Sequence, residues 1–483
     1  MDVCHFCSWS SLRCCCCTTS RRSCFICQIC CMGHASLSPI NGLSAIQVRD
    51  AIAGGQLWVT DLAEKLIAFI EGREPEIHAF AHFDPDFVMK QAQALDVWKR
   101  SGQALGPLHG VPVVLKDIID TEGMATENGI LLDAGRVPRQ DATLVSKLKA
   151  SGALILGKSK TTPLAFMDPT DTKNPHAANR TPGGSSSGSA AAVASGMACI
   201  GIGTQTGGSV IRPASFCGVV GIKPTFGLIS RQGVLSQSPF LDTVGVFAQS
   251  VEDVALTVDV LSGYDSQDPA TRQVPRTQCH AVCQEKAPVH PAYAFIELPG
   301  MEHASESMRA GLSELEAFLG EHAFATNLPR AFEEAMEARK TINFAEMAKC
   351  YYRYKAKDPE HMPPSVLEAM EVGESILARD YLAALDWRSI LDAALDELFE
   401  RADVLVCPAA TGEAPDIETT GDPRFNGIWT LTGHPTVTVP LLTGESGLPM
   451  GVQLIGPRHD DARLLRAARH LCARIASETE ETT

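Results

Sequence analysis

Long apolar runs are missing from this sequence: it has no uninterrupted stretch of about 18 apolar residues, the length a helix needs to span a bilayer. Long runs of lysine or arginine are missing too. The 41 basic residues are outnumbered by 57 acidic ones, for a formal charge of −16. That balance argues against a nucleic-acid-binding protein, which needs a basic face. The N-terminal segment has neither a clean apolar core nor a small-residue cleavage site, so it does not read as a secretory signal. No internal repeat is found, which argues against a repeat array. What is present is the apolar, charged, glycine and proline content of an ordinary soluble globular protein. At 483 residues the chain is long enough to bury a sizeable core.

The cysteines are unevenly spread. Ten of the 17 fall in residues 1–31, including Cys14-Cys15-Cys16-Cys17, while Cys199, Cys217, Cys279, Cys283, Cys350, Cys407 and Cys472 are scattered. Scattered thiols suit a reducing compartment, so a cytoplasmic protein is expected. Cys217 and Cys407 read as core thiols. Cys4-x-x-Cys7 and Cys24-x-x-Cys27 have zinc-like spacing, but the segment is short and crowded with further cysteines. Residues 1–31 are therefore expected to form an extension with no fold of its own, with Met32 the natural first residue. Residues 32–483 then form the domain.

Along that domain, apolar residues from Ser44 to Phe69 recur at helical spacing and break at Gly54-Gly55, which predicts two helices. A short strand is expected at 76–80 and a helix at 87–98. Val111 to Leu115 is a β-branched apolar run stopping at Lys116, as a strand buried on both faces would. A helix at 143–150 and a strand at 153–157 follow. Further strands are expected at 218–221, 227–230, 402–406, 436–439 and 452–455. Helices are expected at 250–262, 332–354, 365–401 and 461–475, and an exposed connection at 265–292. Alternation of this kind points to an α/β sheet, and strands at both ends of the chain point to one large domain.

Two glycine-serine clusters lie close together, Gly183-Gly184-Ser185-Ser186-Ser187-Gly188-Ser189 and Gly207-Gly208-Ser209. Glycine loses more backbone freedom on folding than any other residue, so such clusters suggest backbone N–H groups brought close to a ligand. The N–H groups of Thr206, Gly207, Gly208 and Ser209 could converge beside the Ser209 hydroxyl, as an acyl-transfer nucleophile requires. A hydroxyl needs a base, and no histidine lies near Ser209 in the sequence. Lys116, among Val113, Val114, Ile118 and Ile119, is the other candidate, since desolvation lowers a lysine pKa toward neutrality. Ser185, Ser186 and Ser187 supply hydroxyls for a relay. Gly184-Ser185-Ser186-Ser187-Gly188 also fits the G-x-S-x-G elbow, but that motif needs a preceding strand and Thr181-Pro182-Gly183 is a poor one. Gly201-x-Gly203 is too incomplete for a dinucleotide turn, and His434, between Gly433 and Pro435, reads as structural.

Together, Lys116 and the two clusters resemble the amidase signature family, from about Leu43 to the C-terminus. Asp242-Thr243-Val244-Gly245 and Gly421-Asp422-Pro423-Arg424-Phe425-Asn426 make the chain similar to malonamidase-type amidases within it. The resemblance implies a single α/β domain with a mixed, twisted central sheet covered by helices on both faces. It implies catalysis by Lys116 as base, Ser185 as relay through a cis peptide and Ser209 as nucleophile. Thr206, Gly207, Gly208 and Ser209 would form the oxyanion hole, with Ser186 supporting the network. Arg212, third after Ser209, would face a substrate carboxylate; the alternative is a structural arginine. Gln205 departs from the aspartate that many members carry. The expected reaction is hydrolysis of a small-molecule amide to an acid and ammonia or amine, with water and without metal or cofactor, and a homodimer is left open. The alternatives are an A-type subunit of a tRNA-dependent amidotransferase, a broad aryl-amide or carbamate hydrolase, and a scaffold that has lost catalysis.

Overall fold

The computed structural model describes residues 43–481; segment 1–31 and Met32 lie outside the described residues. In chain order the strands are β1 (Phe80–Phe83), β2 (Pro112–Lys116), β3 (Leu154–Ser159), β4 (Ile200–Gln205), β5 (Val220–Lys223), β6 (Thr243–Ala248), β7 (Tyr293–Glu297), β8 (Ala323–Asn327), β9 (Val404–Pro408), β10 (Thr436–Thr443) and β11 (Pro449–Ile455). They form one sheet in the order β1-β3-β2-β4-β6-β5-β10-β11-β9-β7-β8. β2 pairs in parallel with both β3 and β4, while β4–β6, β6–β5, β5–β10 and β10–β11 are antiparallel. The sheet is therefore mixed. Every residue of β2, β3, β4, β6, β9 and β11 is buried, as expected of strands covered on both faces. Among the described residues no helix is long and apolar enough to cross a membrane.

Local signals placed many helix ends. Ser44 and Gln47 form a capping box ahead of helix Ala45–Ala53. The chain breaks at Gly54-Gly55 and re-enters a helix at Val59–Ile77. Asp84 and Ser250 cap helices Pro85–Arg100 and Val251–Leu261. Tertiary packing overrode other expectations. Of the strand expected at 76–80, Glu76 and Ile77 instead end helix Val59–Ile77, which keeps Ile77 buried; His78 ends it at φ 57°, and only Phe80 of the expected range is strand, as the first residue of β1. Segment 227–230 contributes one isolated bridge, Ile229 to Ser262. The 365–401 pattern splits into Pro364–Ser375 and Ala378–Phe399 around an extended Ile376. The 265–292 connection is not simply exposed: Asp268 is buried against Arg231 at 2.8 Å, and helix Cys279–Gln284 buries both its cysteines.

The elements missed in the sequence include those nearest the centre: β4, β6, helix Ser187–Ala194 and helix Ile211–Cys217. β4 reads Ile-Gly-Ile-Gly-Thr-Gln, too glycine-rich to register as a strand. Its glycines serve packing. A Cβ on Gly201 would lie 2.8 Å from the Ser189 carbonyl oxygen, and one on Gly203 would lie 2.6 Å from Ser186 Oγ. Helix Ser187–Ala194 thus rests directly on the strand, buried from Ser187 to Val193. Its other flank meets backbone, with Gly188 N donating to Lys160 O at 2.9 Å. A Cβ on Gly188 would sit 2.1 Å from Ala79 O and 2.5 Å from Lys160 N. Gly188→Ala should therefore cost at least about 2 kcal/mol, read as a lowered denaturant midpoint; an unchanged midpoint would show that this helix can shift.

Candidate active site

β2 and β4 lie side by side in parallel, with Leu115 opposite Ile202, so Lys116 and Thr204 arrive together at the ends of their strands. Lys116 is fully buried. Its Nζ donates to Ser185 Oγ at 2.7 Å and to Thr204 Oγ1 at 3.0 Å. Burial lowers the Lys116 pKa from 10.5 to about 7, with the negative charge of Asp242 acting in the opposite sense. Asp242 is itself buried, and burial raises its pKa to about 6 against the hydrogen bonds it accepts. Those come from Thr206 Oγ1 at 2.6 Å and from the N–H groups of Gln237 and Ser238, both at 2.9 Å. A cavity of about 250 Å³ reaches Thr204, Thr206 and Asp242.

Ser185 stands in the first glycine-serine cluster, and the Gly184–Ser185 peptide is cis. The three neighbouring hydroxyls divide their work. Ser186 Oγ contacts both the N–H and the carbonyl of Thr204 at 3.3 Å. Ser187 Oγ donates to Gly183 O at 2.7 Å. Ser189 Oγ donates to Ile202 O at 3.0 Å. All three tie the cluster to backbone, and only Ser185 meets the lysine.

Ser209 lies on the turn between β4 and helix Ile211–Cys217, slightly exposed at 8%. Its hydroxyl has no hydrogen-bond partner among the described residues, and the N–H groups of Gly207, Gly208 and Ser209 likewise meet no acceptor there. The turn is braced from below by Gln205. Its Oε1 accepts from Val210 N at 3.0 Å and Ile211 N at 3.1 Å, satisfying helix N–H groups that would otherwise be orphaned. Its Nε2 donates to Thr430 Oγ1 at 3.2 Å, while that hydroxyl donates to Gly207 O at 3.0 Å. The Thr430 proton is already used, so only a donor can meet its lone pair. A carboxylate at position 205 could make the first two contacts but not the third, which gives the departure at Gln205 a structural reason. Gly208 is held closely: a Cβ there would lie 2.3 Å from Asn426 Oδ1.

Arg212 is buried, and its Nη2 donates to Gly184 O at 2.7 Å and to Thr420 Oγ1 at 3.4 Å. It therefore holds the carbonyl immediately before Ser185. Its Nε and Nη1 have no partner. Burial lowers its pKa to about 10, opposed by Asp422 and reinforced by Arg339. The contacts of His109 and His434 lie outside this cluster. His109 lies against Gly152 and His434 stacks on Phe399; burial lowers both, His434 to about 3. Cys217 and Cys407 are buried free thiols. The sequence reading missed the contact roles of Thr204, Asp242, Asn426 and Arg339. The register of β4 beside β2 is the signal that would have found Thr204.

Comparison with known proteins decides the family: the Amidase profile matches residues 61–465. The chain belongs to the amidase family. It is similar to the A-type subunit of the glutamyl-tRNA(Gln) amidotransferase of Chloroflexus aggregans, with 32% identity over 469 residues covering 89% of this chain and 96% of that one. Among solved structures it resembles a chain of a vestigial protein complex that bears on the evolutionary origins of an s-triazine catabolic enzyme. That match has 30% identity, covers 89% of this chain and 98% of the other, and gives a TM-score of 0.83. Native peptide amidase from Stenotrophomonas maltophilia is similar at 27% identity, covering 91% of this chain and 98% of that one, with a TM-score of 0.79. In this amidase-family protein, NMR of lysine-labelled protein should show Lys116 titrating near 7. Asp242→Asn should move that titration lower still, because the carboxylate favours the charged lysine. A value near the ordinary 10.5 in both proteins would contradict the burial argument.

Proposed function

We propose that this amidase hydrolyses a small-molecule amide through an acyl-enzyme on Ser209. The observation that carries the reading is the fully buried contact of Lys116 Nζ with Ser185 Oγ at 2.7 Å and with Thr204 Oγ1 at 3.0 Å, Thr204 standing on the strand that leads into the Ser209 turn. With a pKa near 7, Lys116 is substantially neutral at neutral pH and can accept a proton. Ser185 passes it the Ser209 proton as Ser209 Oγ attacks the amide carbonyl. The N–H groups of Thr206, Gly207, Gly208 and Ser209, the last three without an acceptor among the described residues, hold the developing oxyanion. The proton then returns through Ser185 to the leaving nitrogen, the C–N bond breaks, and ammonia or amine departs. Water, deprotonated by the same relay, attacks the acyl carbon and releases the acid with Ser209 restored. Each step uses only the chain's own groups and water. Ser186 keeps the relay in place through Thr204.

The positive charge that Arg212 keeps beside the Ser185 loop supports a substrate that carries a carboxylate, such as malonamate. A second reading is favoured by the similarity to amidotransferase A-type subunits: the same acyl chemistry would then release ammonia to a partner protein. Turnover of amides by the isolated chain separates the two.

Ser209→Ala should lower turnover at least about a thousandfold. Lys116→Ala should do nearly as much, and the double variant should be little worse than either, because both act in one unit. The acyl adduct trapped by mass spectrometry should map to Ser209; an adduct on Ser186 that survives Ser209→Ala would overturn the assignment. Amide turnover should rise with pH through about 7, following Lys116, and should be insensitive to changes at His109 and His434.

A further inference from the structure

Arg339 carries a cationic group that the mechanism does not use. It lies on helix Ala335–Lys357 and is half-buried. Its side chain crosses helix Gly427–Thr432 at Gly427, where a Cβ would come within 2.6 Å of Nε and 2.8 Å of Cδ. Glycine at that point is what opens the path. Beyond it, Nη1 stands 3.6 Å from where a Cβ of Gly207 would be; the next atom met there is Pro423 Cβ at 3.8 Å. The guanidinium therefore overlooks the bare side of the turn that carries Ser209. The same helix that Arg339 crosses also grips this turn, through the Thr430 hydroxyl on Gly207 O at 3.0 Å. Arginine and turn are thus held in one register.

Among the described residues no carboxylate pairs with this charge. Arg339 Nε is buried without a partner, and among the described residues Arg339 forms no ion pair. Asp422 is taken by Arg424, at 2.7 Å to Nε. Arg339 is close enough to Arg212 to disfavour the charge on it, so the two share one positive field. A guanidinium that served only to pack would be expected to give its buried Nε an acceptor. Arg212 has an acceptor for its Nη2, the Gly184 carbonyl; Arg339 Nε has none.

We propose that Arg339 is a specificity-determining residue, receiving a carboxylate carried on the acyl side of the amide, while Arg212 chiefly positions the Ser185 loop. This rests on the acyl-enzyme reading and narrows its substrate class to short dicarboxylic monoamides. Gly207 and Ser209 are two residues apart, so their Cα atoms are at most about 7.6 Å from each other. Only a few bonds can therefore separate the carboxylate from the scissile carbonyl. The planar fork of arginine suits two-pronged capture of that group.

The test compares malonamate and succinamate with the neutral propionamide and butyramide on the purified full chain. Arg339→Met should raise KM for the two anionic amides by about a hundredfold, the scale of a severed buried charge pair, while leaving the neutral amides within about threefold. Arg339→Lys, which keeps charge but not the fork, should fall between and guards against misfolding of the first variant. Equal losses on anionic and neutral amides, or none on either, would overturn the proposal while leaving Ser209 chemistry intact. Calorimetry with malonate and succinate decides the matter even if no amide is turned over. Wild type should bind one of them and Arg339→Met should not; equal binding by both, or binding by neither, would overturn the subsite.

Discussion

A lysine with no solvent exposure at the end of a central strand is the constraint on which the middle of this molecule depends. Charged, Lys116 would have to repay the loss of its hydration; neutral, it needs only hydrogen-bond partners. Burial brings its pKa to about 7, and Ser185 and Thr204 take up its contacts. Those partners come from different parts of the chain, so the β2–β4 pairing and the Ser185 loop must both be in place. The glycines of β4 let helix Ser187–Ala194 lie against the strand, and that close approach brings the Ser185 loop within reach of the lysine.

The turn after β4 obeys a second constraint. It leaves backbone donors free on one side, so its other side must be held by something else. The Gln205 side chain does this, spanning two helix N–H groups and Thr430, and Asn426 closes on Gly208. Asp242 joins the two constraints. It grips the Thr206 hydroxyl at one end of the turn and acts electrostatically on Lys116. A change at Asp242 therefore alters both the shape of the turn and the basicity of the lysine.

Similarity to amidotransferase A-type subunits and to a peptide amidase, at 27–32% identity, is compatible with one scaffold serving different acyl groups. The Lys116–Ser185 pair and the Ser209 turn sit in the first half of the chain. The residues that overlook that turn, Arg339 and the stretch from Pro423 to Thr430, come from the second. If Arg339 receives the substrate carboxylate, chemistry and choice of substrate are supplied by separate halves of the sequence.

The sequence by itself carried the family, the α/β class and the proposal of Lys116, Ser185 and Ser209 for catalysis, because two glycine-serine clusters and a lysine-terminated apolar strand occur in it together and in one order. It also located the helices whose apolar spacing or caps are local, such as Ala45–Ala53 and Thr143–Ala150. Only the tertiary structure decided the rest. β4 and helix Ser187–Ala194 carry glycine, alanine and serine in place of strong periodicity, because their stability comes from close mutual packing, which leaves no local pattern. Thr204 and Asp242 act on Lys116 across strand pairings, and Arg339 reaches the Ser209 turn across Gly427, a contact between residues more than a hundred positions apart. Sequence spacing cannot express such contacts, since they exist only once the sheet has set which strand ends meet.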